Sequence, residues 1–291
     1  MKNMPLRISK KFLRLIFISA IVLLTDNQLF AQEYKIKTIV IDAGHGGIDG
    51  TTRGLKYTEK DLALKTALAL GAAIEQELKD VKVIYTRTTD VFIPLYERIN
   101  IANEAKADLF ISIHLNDMAA KAVRVPNGYK TVKGKRVAQY KTVYRKPTSV
   151  RGTETFVSGL GRVNEQDEVI KRENASMFLE DNYEANYSGF VPNDPENAII
   201  LSLMKNAYRT QSLNLAKFIQ EEYVAVGRVN RGVQEKSLAV LARAGMPAVL
   251  TEIGFLSNPE EEEYMASESG QIEIVNCLLR AIKAYKTQIE I

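Results

Sequence analysis

The stretch IVIDAGHGG, residues 39–47, joins a short run of β-branched residues to an abrupt polar end. Continuous Val/Ile runs of this kind are typical of buried strands in a parallel sheet. In open α/β sheets, ligands bind beyond the carboxyl ends of such strands, and glycines in the following turn let the backbone come close to a ligand. We therefore expect His45, which follows the run, to lie at the functional edge of a sheet.

The second histidine of the chain occupies an equivalent place. The sequence has two histidines, and His114 directly follows another apolar run, DLFISI at 108–113. A single histidine at a strand end is more often an incidental polar residue than a ligand. Because both histidines of this chain end apolar runs, the pattern favours the ligand interpretation.

Strand and helix patterns alternate along most of the chain. Short apolar runs predict strands over 37–42, 81–86, 108–113, 152–157, 238–241 and 247–251, with a loop at 228–233. Apolar residues at helical spacing predict helices over 62–78, 95–105, 169–180, 198–222 and 272–285. Such alternation implies βαβ units. We predict an α/β fold, a single domain whose mostly parallel central sheet is flanked by helices.

A long insertion interrupts this pattern over about residues 117–200. Residues 120–151 hold ten basic residues and no acidic one, and their alternating Val, Tyr and Lys residues predict an exposed hairpin. Residues 154–196 reverse the sign, with ten acidic residues against three basic ones. Solvated charge is the plainer explanation of both blocks. The alternative is that the two blocks pack together as a cover over the site.

Residues 1–31 have the layout of a signal peptide. Five basic residues precede and border the ten-residue apolar stretch Leu15–Leu24, and Ala31 suits cleavage. Because a membrane span needs about 20 apolar residues, a retained anchor is the weaker interpretation. We expect export to the periplasm or cell envelope, with no stable membrane span after cleavage.

Net charge gives no indication of a nucleic-acid partner, and the cysteine content excludes an intramolecular disulfide. Removal of residues 1–31 leaves 34 basic and 34 acidic residues, so net charge gives no support to a nucleic-acid partner. Cys277 is the one cysteine of the sequence, so no intramolecular disulfide can form. The chain is long enough to build an ordinary core without one.

Four residues at strand ends or at a helix start could form a catalytic metal centre: His45, Glu59, His114 and Glu252. A catalytic zinc takes about three nitrogen or oxygen ligands and keeps a position open. A nearby carboxylate that is not a ligand can then act as general base. Taken alone, Glu59 could equally be a favourable charge in the first turn of a helix, and Glu252 a carboxylate bonded to the turn after it.

Five motifs add a family resemblance. IDAGHGG, YTEKDLAL, SIHLN, GTETF and LTEIGFLSNPEEE occur in this order. Together they resemble the zinc-dependent N-acetylmuramoyl-L-alanine amidases of bacterial cell walls, of the type that separates daughter cells. The resemblance implies a catalytic domain over residues 35–288, a Zn²⁺ held by His45, Glu59 and His114, and Glu252 as general base.

The resemblance also implies substrate, regulation and partners. The expected substrate is peptidoglycan, cleaved between N-acetylmuramic acid and L-alanine of the stem peptide. Relatives of this type carry an inserted helix that blocks the metal until an activator protein displaces it, which predicts that a glutamate within residues 165–184 does so here. Asp42 is expected to support the ligands and Asn116 to shape the rim. The alternatives are another zinc peptidase or carboxypeptidase of related fold, and a non-catalytic wall-binding regulator.

Overall fold

The computed structural model of the protein describes residues 35–49, 52–159, 167–187, 203 and 207–290. The predicted signal peptide lies outside the described residues, as does most of the chain between 188 and 206. In the part of the chain that is described, no helix is long and apolar enough to cross a bilayer.

Among the described residues, eight strands form one sheet and one separate ribbon. They are β1 (Thr38–Ala43), β2 (Lys82–Tyr85), β3 (Leu109–Asn116), β4 (Lys121–Val132), β5 (Lys135–Arg145), β6 (Thr153–Ser158), β7 (Asn230–Lys236) and β8 (Ala248–Phe255). Six of them form the central sheet in the order β2-β1-β3-β8-β6-β7, while β4 and β5 pair only with each other. Four pairings in the sheet are parallel, and β6 runs antiparallel to β8. The predicted α/β class with a mostly parallel sheet is confirmed.

Helices cover both faces of this sheet. They are α1 (Glu59–Glu77), α2 (Leu95–Glu104), α3 (Glu168–Glu173), α4 (Tyr183–Asn186), α5 (Arg209–Ala225), α6 (Pro259–Ala266) and α7 (Glu268–Ile289). Ile39 and Ile41 of β1 belong to the core that α1, α5 and α7 cover, whereas Val40 belongs to the core under α2. Because successive side chains of a strand point to opposite faces, a strand buried on both faces is apolar throughout. This explains the continuous apolar run at residues 39–41.

Two local predictions near the second edge of the sheet are wrong. The predicted loop at 228–233 overlaps strand β7, and the predicted strand at 238–241 is a 3₁₀ turn, Ala239–Leu241. The edge strand β7 has the sequence NRGVQEK, which is polar and partly exposed and therefore shows no alternation. The apolar residues of the turn are buried because they pack in the core under α2.

The helix predicted over 169–180 is broken into α3 and a 3₁₀ turn, Ala175–Leu179. Asn174 lies between them and bridges to the segment after β7. Its side-chain amide donates to the Ser237 carbonyl at 3.0 Å, and its side-chain oxygen accepts from the Ala239 amide at 2.8 Å. These contacts fix the position of α3 against the sheet.

A buried ion pair lies beneath the carboxyl end of β1. The fully buried Asp42 carboxylate accepts hydrogen bonds from Arg98 at 2.9 Å and from the hydroxyls of Thr86 and Ser112, both at 2.6 Å. Burial by itself would raise the pKa of Asp42, but the Arg98 charge and the two hydroxyls outweigh it, and the pKa is lowered. Arg98 also donates to the backbone carbonyl of His45 at 2.7 Å. The pair therefore connects the core to the loop that carries the first histidine.

Replacing Arg98 with Met should destabilise the fold by about 3–5 kcal/mol, because Asp42 would remain as a buried charge without its partner. The matched control is Arg280→Met, which removes a largely exposed partner of Glu222 and should cost less than about 1 kcal/mol. Urea unfolding measures both values. Equal losses for the two variants would contradict the structural role assigned to Arg98.

Candidate metal centre

Four buried side chains converge at the carboxyl ends of β1 and β3. His45, Glu59, His114 and Glu173 each offer one ligand atom, and these four atoms lie within 4.8 Å of one another. Three of the four are the residues that the sequence predicted as ligands. The fourth, Glu173, is the last residue of α3 and belongs to the acidic part of the insertion, residues 154–196.

His45 lies in a strained loop that two arginines hold. Its φ of 56° is in the left-handed region, which non-glycine residues occupy at a cost of order 1 kcal/mol. Arg98 binds the carbonyl of His45, and Arg87 binds the carbonyl of Gly44 at 2.7 Å. Asp49 contacts the Nδ1 atom of His45 at 3.0 Å, and this contact orients the ring so that Nε2 faces the cluster.

His114 lies inside β3, one residue beyond the predicted strand. Its ring crosses the backbone of Gly44, where a Cβ atom would come within 2.6 Å of the His114 Nε2 atom. A glycine is therefore required at position 44 for this close approach. The opposite ring atom, Nδ1, faces the cluster at 3.2 Å from an oxygen of Glu59 and 2.8 Å from an oxygen of Glu173.

Glu59 is the first residue of α1. The loop that precedes it is fixed by the carboxylate of Glu262, which lies in α6. Glu59 Oε1 accepts a hydrogen bond from the Leu115 amide at 2.9 Å. In the loop, the backbone amides of residues 55, 56 and 57 donate to the carboxylate of Glu262 at 3.0, 2.7 and 2.8 Å. The NPEEE part of the last sequence motif therefore holds the approach to Glu59 in place.

Each of the four cluster residues has one buried side-chain atom without a hydrogen bond. Within the described part of the chain, His45 Nε2, Glu59 Oε2, His114 Nδ1 and Glu173 Oε2 have no hydrogen-bond partner of suitable geometry. An unsatisfied buried polar atom costs about 1–3 kcal/mol, so a cluster of four calls for a ligand. Two imidazoles with carboxylates form a donor set that suits zinc and its first-row neighbours. These residues fit a divalent transition metal ion.

The charges of the cluster shift the pKa values of its members. Burial would lower the pKa of His114, but the negative charges of Glu173 and Glu59 outweigh it and raise that pKa to about 9. Burial would raise the pKa of Glu173, but the charges of His114 and Arg172 lower it to about 2. The cluster therefore holds ionised carboxylates beside its imidazoles.

Glu252 lies next to the cluster but outside it. In the β3–β8 ladder it is paired with His114. Its Oε1 atom accepts a hydrogen bond from Arg172 at 2.9 Å, and its Oε2 atom has no hydrogen-bond partner among the described residues. Burial raises the pKa of Glu252, as do the charges of Glu173 and Glu59, while Arg172 opposes the rise. Glu252 is therefore a buried carboxylate with one free oxygen.

Sequence reasoning missed Arg172, which links α3 to the rest of the site. Its guanidinium contacts Glu173 at 2.7 Å, Glu252 at 2.9 Å, and the side-chain oxygen of Asn116 at 3.0 Å. Asn116, expected at the rim, is buried and bridges Arg172 to Glu154 at 3.3 Å. The sequence signal for Arg172 was one basic residue beside an acidic one, which is also the pattern of an ordinary solvated surface.

Comparison with known proteins gives consistent results. A family model described as N-acetylmuramoyl-L-alanine amidase matches residues 39–284. The chain is 30% identical to the N-acetylmuramoyl-L-alanine amidase AmiC of Neisseria meningitidis serogroup B, over 85% of this chain and 52% of that protein. A crystal structure of an N-acetylmuramoyl-L-alanine amidase from Clostridium difficile 630 matches with a TM-score of 0.56 and 26% identity, covering 87% of this chain and 97% of the other.

A further structural neighbour was solved with a partner protein. The CwlD amidase of Clostridioides difficile, in complex with the GerS lipoprotein, matches with a TM-score of 0.56 and 24% identity. It covers 87% of this chain and 99% of the other, and it supports the similarity of fold. The chain spans about half the length, 52%, of the two AmiC relatives it matches.

Replacing Glu262 with Gln should weaken metal binding about 10- to 100-fold, the range seen when groups that support ligands are removed. The substitution takes the charge from the acceptor of three backbone amides and leaves all four cluster residues intact. Glu263→Gln is the matched control, because the neighbouring Glu263 is largely exposed and pairs with Lys56. Competition with a chromophoric chelator measures the affinity. Equal affinities for the two variants would contradict the role given to Glu262.

Proposed function

Because the chain belongs to the N-acetylmuramoyl-L-alanine amidase family, we propose that it hydrolyses peptidoglycan at the amide between N-acetylmuramic acid and L-alanine of the stem peptide. The observation that carries this proposal is the buried cluster of His45, Glu59 and His114 beside the free oxygen of Glu252. We further propose that residues 1–31 direct export to the periplasm or cell envelope, where the polymer lies, and that the enzyme acts in wall turnover and daughter-cell separation.

His45, Glu59 and His114 would hold a zinc ion. Two imidazoles and one carboxylate form a known ligand set of catalytic zinc in hydrolases. When bound, zinc supplies Lewis acidity towards the scissile carbonyl and towards water. Asp49 keeps the His45 ring in the orientation that points Nε2 at the cluster, and the Leu115 amide fixes one oxygen of Glu59. That oxygen, Oε1, lies 3.3 Å from His45 Nε2 and 3.2 Å from His114 Nδ1, and the other oxygen has no hydrogen-bond partner among the described residues.

Glu252 would act as the general base and then as the general acid. Its free Oε2 atom would accept a proton from the attacking water and give it to the departing L-alanine nitrogen. Burial raises the pKa of this carboxyl above its ordinary value. A carboxyl with a raised pKa exchanges a proton near neutral pH more readily than a solvated one does.

We also propose that α3 inhibits the enzyme by closing the site. Glu173 lies 2.8 Å from His114 Nδ1 and 3.7 Å from His45 Nε2, so it would take the position that substrate or water needs. At the same time, Arg172 forms an ion pair with the carboxylate of Glu252. Glu173 is thus our candidate for the inhibitory glutamate expected within residues 165–184. A partner protein that displaced α3 would free both groups at once.

Replacing Glu173 with Gln should raise peptidoglycan hydrolysis about tenfold or more, because a charge-assisted contact contributes about 1.5–3 kcal/mol. Glu168→Gln, at the exposed start of the same helix, is the control and should leave the rate unchanged. The rate is measured as stem peptide released from purified sacculi by the zinc-loaded protein. Unchanged or reduced release by the Glu173 variant would contradict the inhibitory role.

Replacing Glu252 with Gln should lower turnover about 10²- to 10⁴-fold, the usual contribution of general acid–base catalysis. Glutamine keeps the size of the side chain and an oxygen for Arg172, but it cannot take the proton. The Glu252→Gln protein and the parent protein with Glu252 both carry Glu173→Gln, so that inhibition does not mask the effect. The zinc content of each protein is measured together with its rate.

Mass analysis of the products tests the function itself. An amidase releases intact stem peptides that begin with L-alanine, whereas a carboxypeptidase or endopeptidase cuts within the peptide. Peptide fragments in place of intact stems would overturn the proposed reaction. Full activity of the Glu252 variant would overturn only the assignment of the base.

A further inference from the structure

The ribbon of β4 and β5 extends from the fold with both of its faces in solvent. Its two strands are joined by a two-residue turn, Lys133 and Gly134, which have φ values of 50° and 76°. All residues of the two strands are exposed except Val125 and Val143, which are half-buried. An isolated two-stranded hairpin is only marginally stable, so this ribbon depends on contacts between its own side chains.

The residue types are sorted between the two faces of the ribbon. Residues opposite each other in the ladder share a face, and faces alternate along each strand. By the observed register, one face carries three tyrosines and two arginines, here called the tyrosine face: Arg124, Tyr129, Arg136, Tyr140 and Tyr144. The other, the valine face, carries the exposed valines and most of the lysines: Lys121, Val123, Lys130, Val132, Lys135, Val137 and Lys141.

Arginines stack on two of the exposed tyrosines. The Arg124 guanidinium lies 4.9 Å from the centre of the Tyr140 ring, and that of Arg136 lies 4.0 Å from the centre of the Tyr129 ring. Stacking orders a guanidinium while its N–H groups remain available to a carboxylate. The tyrosine face therefore combines ordered cationic donors with flat aromatic surfaces.

The charge of the ribbon calls for an anionic partner. Residues 121–146 contain nine basic residues and no acidic one, whereas the whole chain has 39 basic and 35 acidic residues. The rest of the chain therefore has an excess of acidic residues, and the positive charge is concentrated here. A local field of one sign attracts ligands of the opposite sign.

Protection of the strand edges explains the lysines but not the tyrosines. Lysine on an exposed edge prevents pairing with other chains. Tyr129, Tyr140 and Tyr144 are 61%, 52% and 74% exposed on one face, and clustered aromatic surface in solvent marks a contact site. A phenol ring offers an apolar face and a polar end. This suits a polymer that carries both ring faces and carboxylates.

Both ends of the ribbon lie near the end of β3, the strand that carries His114. The ribbon follows β3, and Lys146 after its second strand contacts Asp117 at 2.5 Å and the Arg53 carbonyl at 3.2 Å. A cavity of about 260 Å³ lies between this base and α3, lined by Thr52, Asp117, Ala119, Lys146, Glu168 and Arg172. The base of the ribbon therefore adjoins Arg172, which contacts the proposed general base Glu252.

We propose that the tyrosine face binds an acidic glycopeptide strand of peptidoglycan and holds it beside the active centre. The tyrosine rings would stack on sugar rings, and Arg124 and Arg136 would bind carboxylates of the stem peptides. This inference rests on the proposed function, since it names the same polymer. If so, the tyrosine face is a second binding surface beside the active centre. Insoluble peptidoglycan would contact it, whereas a short soluble substrate would not reach it.

The test is co-sedimentation of the full chain with purified sacculi, in a Glu252→Gln background that leaves the polymer uncut. The triple variant Tyr129→Thr, Tyr140→Thr, Tyr144→Thr should lose about tenfold or more in affinity, since each aromatic contact adds to binding. The matched control, Val123→Thr, Val132→Thr, Val137→Thr, changes as many residues on the valine face and should stay within about twofold. Both variants keep the charge and the strand-forming tendency of the ribbon.

Two further measurements separate the possible failures. With Glu252 intact and Glu173→Gln present to relieve the proposed inhibition, the tyrosine-face variant should cleave a soluble disaccharide-peptide at the rate of its Glu173→Gln parent but cleave sacculi more slowly. Unchanged sacculus binding by that variant, or equal loss in the valine-face control, would overturn the proposal. So would binding to 3:1 phosphatidylcholine–phosphatidylglycerol vesicles that the tyrosine-face variant loses while sacculus binding stays unchanged. Sacculus binding that depends on the tyrosines, without any release of stem peptides by the zinc-loaded Glu173→Gln protein, would overturn the amidase function and leave the ribbon assignment standing.

Discussion

The structure depends on one unfavourable constraint, which is that four polar atoms are held within 4.8 Å of one another in a buried space. Two carboxylates and two imidazoles in such a space lose the hydration that they had in the unfolded chain, and each of the four residues keeps one buried side-chain atom to which the described residues return no hydrogen bond. The scaffold must therefore hold them by other bonds. It does so through the remaining atoms of the same residues: His45 through Asp49 and Glu59 through the Leu115 amide.

Two buried carboxylates away from the cluster supply much of that support. Asp42 fixes Arg98, which binds the carbonyl of the strained His45, and Glu262 gathers three backbone amides in the loop before Glu59. Each belongs to a sequence motif that also contains a cluster or base residue. Much of what these motifs encode is therefore the loop geometry that brings the distant cluster residues together, and metal binding would add free energy to the folded state.

How far the sequence could predict this structure depends on whether a residue's role is visible locally. The β1 run and His114 were predictable because a strand buried on both faces is apolar throughout and its end is marked by a polar residue. The strand β7 was missed because an edge strand need not alternate, and NRGVQEK reads as a loop. Arg172 and Glu173 could not be singled out, because their neighbours in sequence are those of a solvated surface. Only the position of α3, fixed by Asn174, brings them to the cluster.

We propose that His45, Glu59 and His114 together hold a metal ion. Anomalous diffraction at the zinc absorption edge, from crystals of the zinc-loaded Glu173→Gln protein, tests it most directly. We predict one strong peak between His45 Nε2, His114 Nδ1 and the Glu59 carboxylate, at about 2.0–2.2 Å from each ligand atom. Stoichiometric zinc with its peak elsewhere, or no peak among these three side chains, would contradict this ligand assignment.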